Sequence, residues 1–353
     1  MCGTGFWATV FLHYAGPLDV VAVVDDYHAG EVILGHACIN TEQLLSLVRK
    51  RPDIICINSG QSDAGYSHFE RLGLEFHIRM LNYLQAIRAL QIKPDIRVSD
   101  WMKTILSRAD DFRETERLLC DDSSVETLYS SLLYHLETDR EYLLAVNRPA
   151  DAGYFRSGLF QVQSGEVYVD GGAFTGDSVQ TFIQAAHGQF RQIHAYEPDP
   201  VNYQQLEAWL ARQSLHGYDS RIALHLKAVG DESRTLSFNQ HSNAGSYISH
   251  DTPSGPHPFE NINQIDVPCV TLDHDISEPI SLLKLDIEGH ELKALKGASG
   301  HLKRSKPKLA VCAYHLPTDL IDLPQFIAGL EKGYRIGLRH HSNVRYDTIL
   351  YAF

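Results

Sequence analysis

The 353-residue sequence predicts an α/β protein built on a doubly wound, mostly parallel sheet. Three observations carry that expectation. Short apolar runs recur from Glu166 to the carboxyl terminus with helix-length stretches between them, which is how parallel strands joined by helices read. Two of these runs end in acidic, glycine-containing turns, Asp170-Gly171-Gly172-Ala173-Phe174-Thr175-Gly176 and Asp286-Ile287-Glu288-Gly289, at the sheet edge where open α/β folds bind ligands. The last two runs, Tyr334 to Arg339 and Thr348 to Phe353, are separated by the turn-like His341-Ser342-Asn343 and no helix, so an antiparallel hairpin should close the sheet.

Composition narrows the classes. Formal net charge is -13, from 31 basic and 44 acidic residues, and no long basic run stands out, which argues against nucleic acid as the main partner. No apolar run approaches the roughly 20 residues of a membrane span. No secretory signal precedes the first strand-like run, so a cytoplasmic protein is expected. The six cysteines, Cys2, Cys38, Cys56, Cys120, Cys269 and Cys312, show no C-x-x-C spacing and read as reduced core thiols.

Taken in order, residues 1–65 look like a partial Rossmann-like α/β unit. Gly3-Thr4-Gly5 precedes a helix-compatible stretch, Val20 to Val24 reads as a strand closed by Asp25-Asp26, Thr41 to Arg51 as a helix and Ile54 to Ile57 as a strand. A turn of this kind should follow a strand, yet only Met1 and Cys2 precede it. This unit is read as a packing or homo-oligomerisation module, the alternative being a second nucleotide site at Gly3, Gly5 and Asp25. Residues 66–153 turn helical and polar, with segments Arg71 to Leu90, Asp100 to Ser107, Asp111 to Leu119 and Ser123 to Leu144, and are expected to form a helical connector. Residues 154–353 form the main domain. Its strands are Val167 to Val169, Gln192 to Tyr196, Ile222 to Lys227, Val267 to Leu272, Ser281 to Asp286, Leu309 to Tyr314 and the final pair. Asn239 to Gln264, rich in Asn, Ser, Gly, Pro and His, reads as a long loop on the substrate side.

The glycine loop reads as a cofactor cradle. Glycines let the backbone turn sharply and approach a ligand, and the helix that follows offers unpaired N–H groups. In the dinucleotide register from Gly171 to Gly176, Ala173 falls where the backbone must approach a pyrophosphate. The other register, Asp170, Gly172 and Gly176, sets a carboxylate beside the ligand, which suits the ammonium group of S-adenosylmethionine better than a pyrophosphate. Glu197, ending the next strand, is placed to accept from both ribose hydroxyls, a task common to NAD and S-adenosylmethionine sites. Lys284 shares a strand face with Asp286 and should pair with a nearby carboxylate, because an unpaired lysine in an apolar strand is costly.

With these motifs read, residues 154–353 resemble the FkbM-type family of class I S-adenosylmethionine-dependent methyltransferases. The resemblance rests on Val169 to Asp177 with Tyr196-Glu197-Pro198-Asp199-Pro200; on Lys284-Leu285-Asp286-Ile287-Glu288-Gly289 with Glu291, Leu295, Lys296 and Gly297; and on Tyr314-His315-Leu316-Pro317-Thr318-Asp319-Leu320 followed by Leu338 to Ser342 and Thr348 to Ala352. It implies a class I methyltransferase, Rossmann-like seven-stranded sheet with an antiparallel C-terminal hairpin, and methyl transfer to a hydroxyl of a carbohydrate or secondary metabolite. Phe174 stands where other class I loops commonly carry another glycine. On this reading Asp170, Gly172, Phe174 and Gly176 surround the methionine moiety, Glu197 holds the ribose, and Ala228 and Val229 lie against the adenine. Asp286 and Glu288 flank the reacting centre, and His315 is the candidate base, its ordinary pKa near 6.5 suiting that task. His340 and His341 are weaker candidates.

A metal-assisted variant would use Asp286, Glu288, Glu291 or His315 as ligands of a divalent ion, although their spacing matches no stock motif. The acceptor is a small molecule or glycan. Two other classes stay open at this point: an NAD-dependent oxidoreductase or nucleotide-sugar-modifying enzyme, and a non-catalytic binding protein with a vestigial pocket.

Overall fold

A computed structural model describes residues 1–14, 18–33, 35–60, 63–90, 98–213, 217–239, 247–248 and 264–353. Among them the chain forms two compact units, Met1 to Val98 and Ser99 onward.

In the first unit, helix α1 (Phe6–Tyr14) leads to strands β1 (Val23–Val24), β2 (Val32–Ile33) and β3 (His36–Ile39), helix α2 (Thr41–Lys50) and strand β4 (Cys56–Asn58). Helix α3 (Asp63–Glu75), strand β5 (Met80–Asn82) and helix α4 (Tyr83–Ala89) complete it. β1 pairs in parallel with β3, and β4 with β5. The expected first strand is present in minimal form. Cys2 forms parallel bridges to both Val24 and Asn58, donating its N–H to Ile57 O and accepting from Ser59 N, so it joins the two pairs at the centre. The helix expected from Arg71 to Leu90 is instead cut in two. α3 stops at Glu75, His77 turns left-handed (φ 52°), Met80 and Leu81 pair with Cys56 and Ile57, and Asn82 caps α4 through reciprocal bonds with Gln85. Strand pairing and a capping box override the helical periodicity there.

The second unit opens with α5 (Val98–Ser107), α6 (Ala109–Leu118), α7 (Asp122–Glu137) and α8 (Glu141–Val146). These helices do not stand apart as a connector. Trp101, Phe112, Leu128 and Leu132 belong to one buried cluster with Ile336, Leu338 and Leu350 of the edge hairpin. Arg339 reaches Asp121 at 2.7 Å, and Asp121 also caps α7 by accepting from Ser124 N. The helix expected from Ser123 to Leu144 breaks where Thr138 adopts a left-handed cap (φ 60°).

The main sheet follows. Its elements are β6 (Glu166–Gly171), α9 (Asp177–Ala185), β7 (Phe190–Tyr196), α10 (Pro200–Gln213) and β8 (Ile222–His225). A smaller sheet then intervenes, made of β9 (Ala228–Val229), β10 (Arg234–Asn239), β11 (Tyr247–Ile248) and β12 (Gln264–Val270). After α11 (Leu272–Asp275) come β13 (Leu282–Leu285), α12 (Glu291–Gly297), α13 (Ser299–Ser305), β14 (Lys308–Cys312), α14 (Asp319–Leu330), β15 (Ile336–His340) and β16 (Thr348–Ala352). The seven-stranded order is β15-β16-β14-β13-β6-β7-β8, and β16 alone runs against the rest. This is the class I methyltransferase arrangement with its reversed edge hairpin.

One expected strand belongs elsewhere. The strand expected in the large sheet at Val267 to Leu272 is β12, which pairs antiparallel with β10 over Arg234–Asn239 in the small sheet. β10 itself was not anticipated, since its alternation begins just after the polar turn Asp231-Glu232. Of the long loop expected from Asn239 to Gln264, residues 240–246 and 249–263 lie outside the described residues; Tyr247 and Ile248 pair with β10. All six cysteines are free thiols. Among the described residues no helix is long and apolar enough to cross a membrane.

Candidate active site

β6 and β13 lie side by side at the middle of the sheet, with Lys284 paired to Asp170 and Leu285 to Gly171. Both motif turns therefore emerge together at the carboxyl edge. A cavity of about 330 Å³ opens there, lined among others by Gly172, Phe174, Glu197, Ala228, Val229, Asp286 and Glu288.

The glycine loop is shaped by close packing. Gly172 has φ +80°, and a Cβ on it would fall 2.0 Å from the carbonyl oxygen of Asp286, so only glycine fits where the two turns touch. Phe174 also has positive φ (+48°), the conformation for which glycine is the usual choice, and its N–H donates to Glu197 Oε2 at 2.9 Å. That explains why this position is glycine in related loops and what holds phenylalanine there. Ala173 is wholly buried in the core with Tyr168 and Phe182, so its methyl faces neither ligand register. Gly172 is the residue that must lack a side chain.

Asp170, expected beside the cofactor's ammonium, lies beneath the loop instead. It is fully buried, accepts from Ser178 Oγ at 2.6 Å and pairs with Lys284 Nζ at 3.0 Å. Lys284 in turn donates to the carbonyl of Gly172 at 2.7 Å and lies near that of Gly171. Burial alone would push the lysine pKa down; Asp170 and Asp286 outweigh it and hold the ammonium protonated. The expected Lys284 pair thus forms, and it braces the loop from below. Gly176 likewise does not line the cavity. It caps α9 in a left-handed conformation, packed so that a Cβ would meet Trp209 at 2.7 Å.

On the next wall Glu197 accepts from Phe174 N and Asp199 N, both at 2.9 Å. Burial lifts its pKa to about 7, against the opposing pull of those two N–H groups. Ala228 and Val229 line the cavity beside Lys227, which is anchored to Asp275 at 2.7 Å. Asp275 also accepts from Tyr196.

At the far wall Asp286 accepts from the phenols of Tyr154 (2.9 Å) and Tyr314 (3.2 Å). His315 sits behind, its side chain only 5% exposed, with Glu291 at Nδ1 (3.0 Å) and Asp286 and Glu288 at Nε2 (3.6 and 3.7 Å). Burial pulls the imidazole pKa down, but the charges of Glu291, Glu288 and Asp286 outweigh it and raise it to about 10. The surrounding charges favour the protonated imidazolium, which runs against the role of base expected of His315. Atoms of Asp286, Glu291 and His315 come within 4.8 Å of one another, as a metal set would. Glu291 faces Nδ1 of the ring, while Asp286 and Glu288 both face Nε2. Glu288 is held at φ +56°, followed by Gly289 at +94°, a left-handed pair that turns the Glu288 carboxylate toward the cavity.

His340 and His341 stand away from this chemistry. His340 contacts Thr348 Oγ1, and burial lowers its pKa to about 4; His341 bridges Pro149 O and the Tyr351 hydroxyl. Neither lines the cavity. Tyr154, Asp347, Phe238 and His290 line it without having been singled out in the sequence. Tyr314 lay within a motif already read, but Tyr154 carries no local signal; it is delivered by its left-handed backbone (φ +55°) and by the Tyr351 hydroxyl accepting from its N–H.

In the first unit the glycine turn is closed on itself. Thr4 Oγ1 donates to Asp25 Oδ2 at 2.6 Å and Tyr27 N to Asp25 Oδ1 at 3.0 Å. The apolar cavity of that unit, lined by residues such as Val20, Val21, Ile54 and Ile55, lies on the amino-terminal side of β1 and β4, opposite the turn.

Comparison with known proteins identifies the family. A family model described as the methyltransferase FkbM domain matches residues 170–336. The crystal structure of methyltransferase FkbM from Methylobacillus flagellatus KT is 33% identical, covers 99% of this chain and 88% of its own, and superposes with a TM-score of 0.83. An rRNA methylase from Streptococcus thermophilus is 16% identical, covering 62% of this chain and 93% of its own, with a TM-score of 0.33. A SAM-dependent methyltransferase from Aquifex aeolicus is 13% identical over 61% and 97%, with a TM-score of 0.32. A search of curated proteins finds no match. The likeness to the Methylobacillus protein extends over nearly the whole chain, and the chain belongs to the FkbM methyltransferase family.

Proposed function

We propose that the protein is an S-adenosylmethionine-dependent O-methyltransferase acting on a hydroxyl of a carbohydrate or secondary metabolite. The observation that carries this is a cavity in which a Cβ-free backbone turn at Gly172 and a buried carboxylate at Glu197 meet the acidic turn Asp286 to Glu288. Those residues suit the cofactor. Gly172 and Phe174 would border its methionine end, Glu197 would accept from its ribose, and Ala228 and Val229 would pack on its adenine.

When bound, S-adenosylmethionine supplies an electrophilic methyl group to an attacking oxygen. The protein's contribution is mainly positional, since in-line displacement at carbon needs reactants held close and aligned. Gly172 lets the loop approach, and Lys284 fixes the carbonyls that shape it. Asp286 is the carboxylate at the reacting end, and burial, which would raise its pKa, is overcome by Lys284 and His315 so that it stays ionised. With the charges around His315 favouring its protonated form, Asp286 would be the carboxylate that takes the acceptor hydroxyl's proton and passes it to solvent. His315 and Glu291 hold that carboxylate in charge and orientation.

Calorimetry tests the reading. One molecule of S-adenosylmethionine should bind per chain with no measurable NAD binding; tight NAD binding without S-adenosylmethionine binding would overturn it.

A further inference from the structure

The donors and acceptors around Asp286 leave an unusual surface. The Tyr154 hydroxyl donates to Asp286 Oδ2 and the Tyr314 hydroxyl to Oδ1. Each phenol has one proton, so neither has one left to offer the cavity. The Tyr154 oxygen also lies 3.6 Å from Cys312 Sγ, where a hydroxyl that donates to Asp286 can only accept. Burial and the Asp286 charge push both phenol pKa values well up, so the hydroxyls stay neutral and keep donating to the carboxylate.

The placement of Tyr154 is costly and braced. Its left-handed backbone is a strained conformation for an aromatic residue, and such strain gathers at functional sites. Tyr351 holds its N–H, and Lys284 Nζ stands 5.5 Å from its ring centre. Tyr314 is set by its position just beyond β14 and by an edge contact with Tyr346.

We propose that Tyr154 and Tyr314, with their protons committed to Asp286, present an acceptor-only oxygen surface that receives the positively polarised methyl of the sulfonium and aims it at the acceptor. This rests on the methyltransferase reading above. Sulfur loses its positive charge as the methyl leaves, so the pair acts by alignment and not by favouring the transition-state charge. Contacts of this kind are weak singly and discriminate a sulfonium methyl from a thioether that has none. The phenols are positioning residues, acting with Asp286.

The experiment needs no acceptor. Dissociation constants for S-adenosylmethionine and S-adenosylhomocysteine are measured by calorimetry on the full chain, for wild type, Tyr154→Phe and Tyr314→Phe. S-adenosylhomocysteine lacks only the methyl and the charge, so its affinity reports folding and pocket integrity in each variant. The proposal expects each variant to keep S-adenosylhomocysteine affinity within about twofold and to weaken S-adenosylmethionine by about fivefold, the factor that one weak contact of roughly 1 kcal/mol supplies. The proton shift of bound 13C-methyl cofactor should move upfield in the same variants. An unchanged ratio of the two affinities overturns the proposal, and so does equal loss of both ligands, which would make the phenols mere pocket walls. If wild type binds neither ligand, the failure lies with the methyltransferase reading itself.

Discussion

The two units carry the same local device with opposite results. Each has a glycine turn running from a central strand into a helix, and each has an acid closing the neighbouring strand: Asp25 in the first, Glu197 in the second. In the first, Asp25 is taken by Thr4 of the turn and by the N–H of Tyr27 two residues after it. In the second, Glu197 is bound by two backbone N–H groups and still lines an open cavity. The deeper difference lies under the loop. A buried Lys284–Asp170 pair ties the second turn's carbonyls to the adjacent strand, whereas the first turn is held by a hydroxyl donating to a partly exposed carboxylate. A glycine turn borders an open cavity where neighbouring strands supply both a floor and a wall.

The largest expected effect comes from removing that floor. Lys284→Met leaves Asp170 buried without its partner, and chemical denaturation should show a loss of roughly 3–5 kcal/mol, as for other broken buried pairs. A loss below 1 kcal/mol would mean the pair does not organise the loop. Next is Gly172→Ala, whose methyl would overlap the Asp286 carbonyl. It should weaken S-adenosylmethionine binding at least about a hundredfold, or roughly 2.7 kcal/mol. Gly3→Ala, with 3.4 Å to Ser59 Oγ, should leave that affinity unchanged and cost only about 1 kcal/mol of stability, from its φ of +103°.

A smaller effect separates the two acids by pH. Glu197 keeps its proton in the folded protein up to about pH 7, where an ordinary carboxyl has lost it near 4.5. Only the ionised form accepts from both ribose hydroxyls, so cofactor affinity should rise as pH climbs from 6 to 8 and lose that slope in Glu197→Gln. A flat wild-type profile would remove Glu197 from the ribose. Smallest is Thr4→Val, which deletes one hydrogen bond and should cost about 1 kcal/mol in thermal unfolding without touching cofactor affinity. Weaker binding in that variant would mean the first turn shares in the site.

Much of this site was legible because period and turn chemistry act locally. The runs ending at Asp170 and Asp286 are apolar enough to be central strands, and the order of their motifs identified the family and the sheet. What escaped detection depends on contacts between distant residues. Asp170 reads as a ligand-facing acid until Lys284, 114 positions later, is seen to occupy it. His315 reads as a base until three carboxylates are found around its ring. Tyr154 has no motif, because its place is set by Tyr351 and Asp286. β12 reads as a strand of the large sheet for a similar reason: a small antiparallel sheet and a large parallel one use the same apolar runs, and only pairing tells them apart.

The most direct test is calorimetric titration of S-adenosylmethionine into Glu197→Ala and Asp25→Ala beside wild type. One site per chain is expected in wild type, with affinity kept in Asp25→Ala and reduced at least about tenfold in Glu197→Ala, as loss of a charged hydrogen bond predicts. Affinity kept in Glu197→Ala and lost in Asp25→Ala would place the cofactor in the first unit and contradict the account.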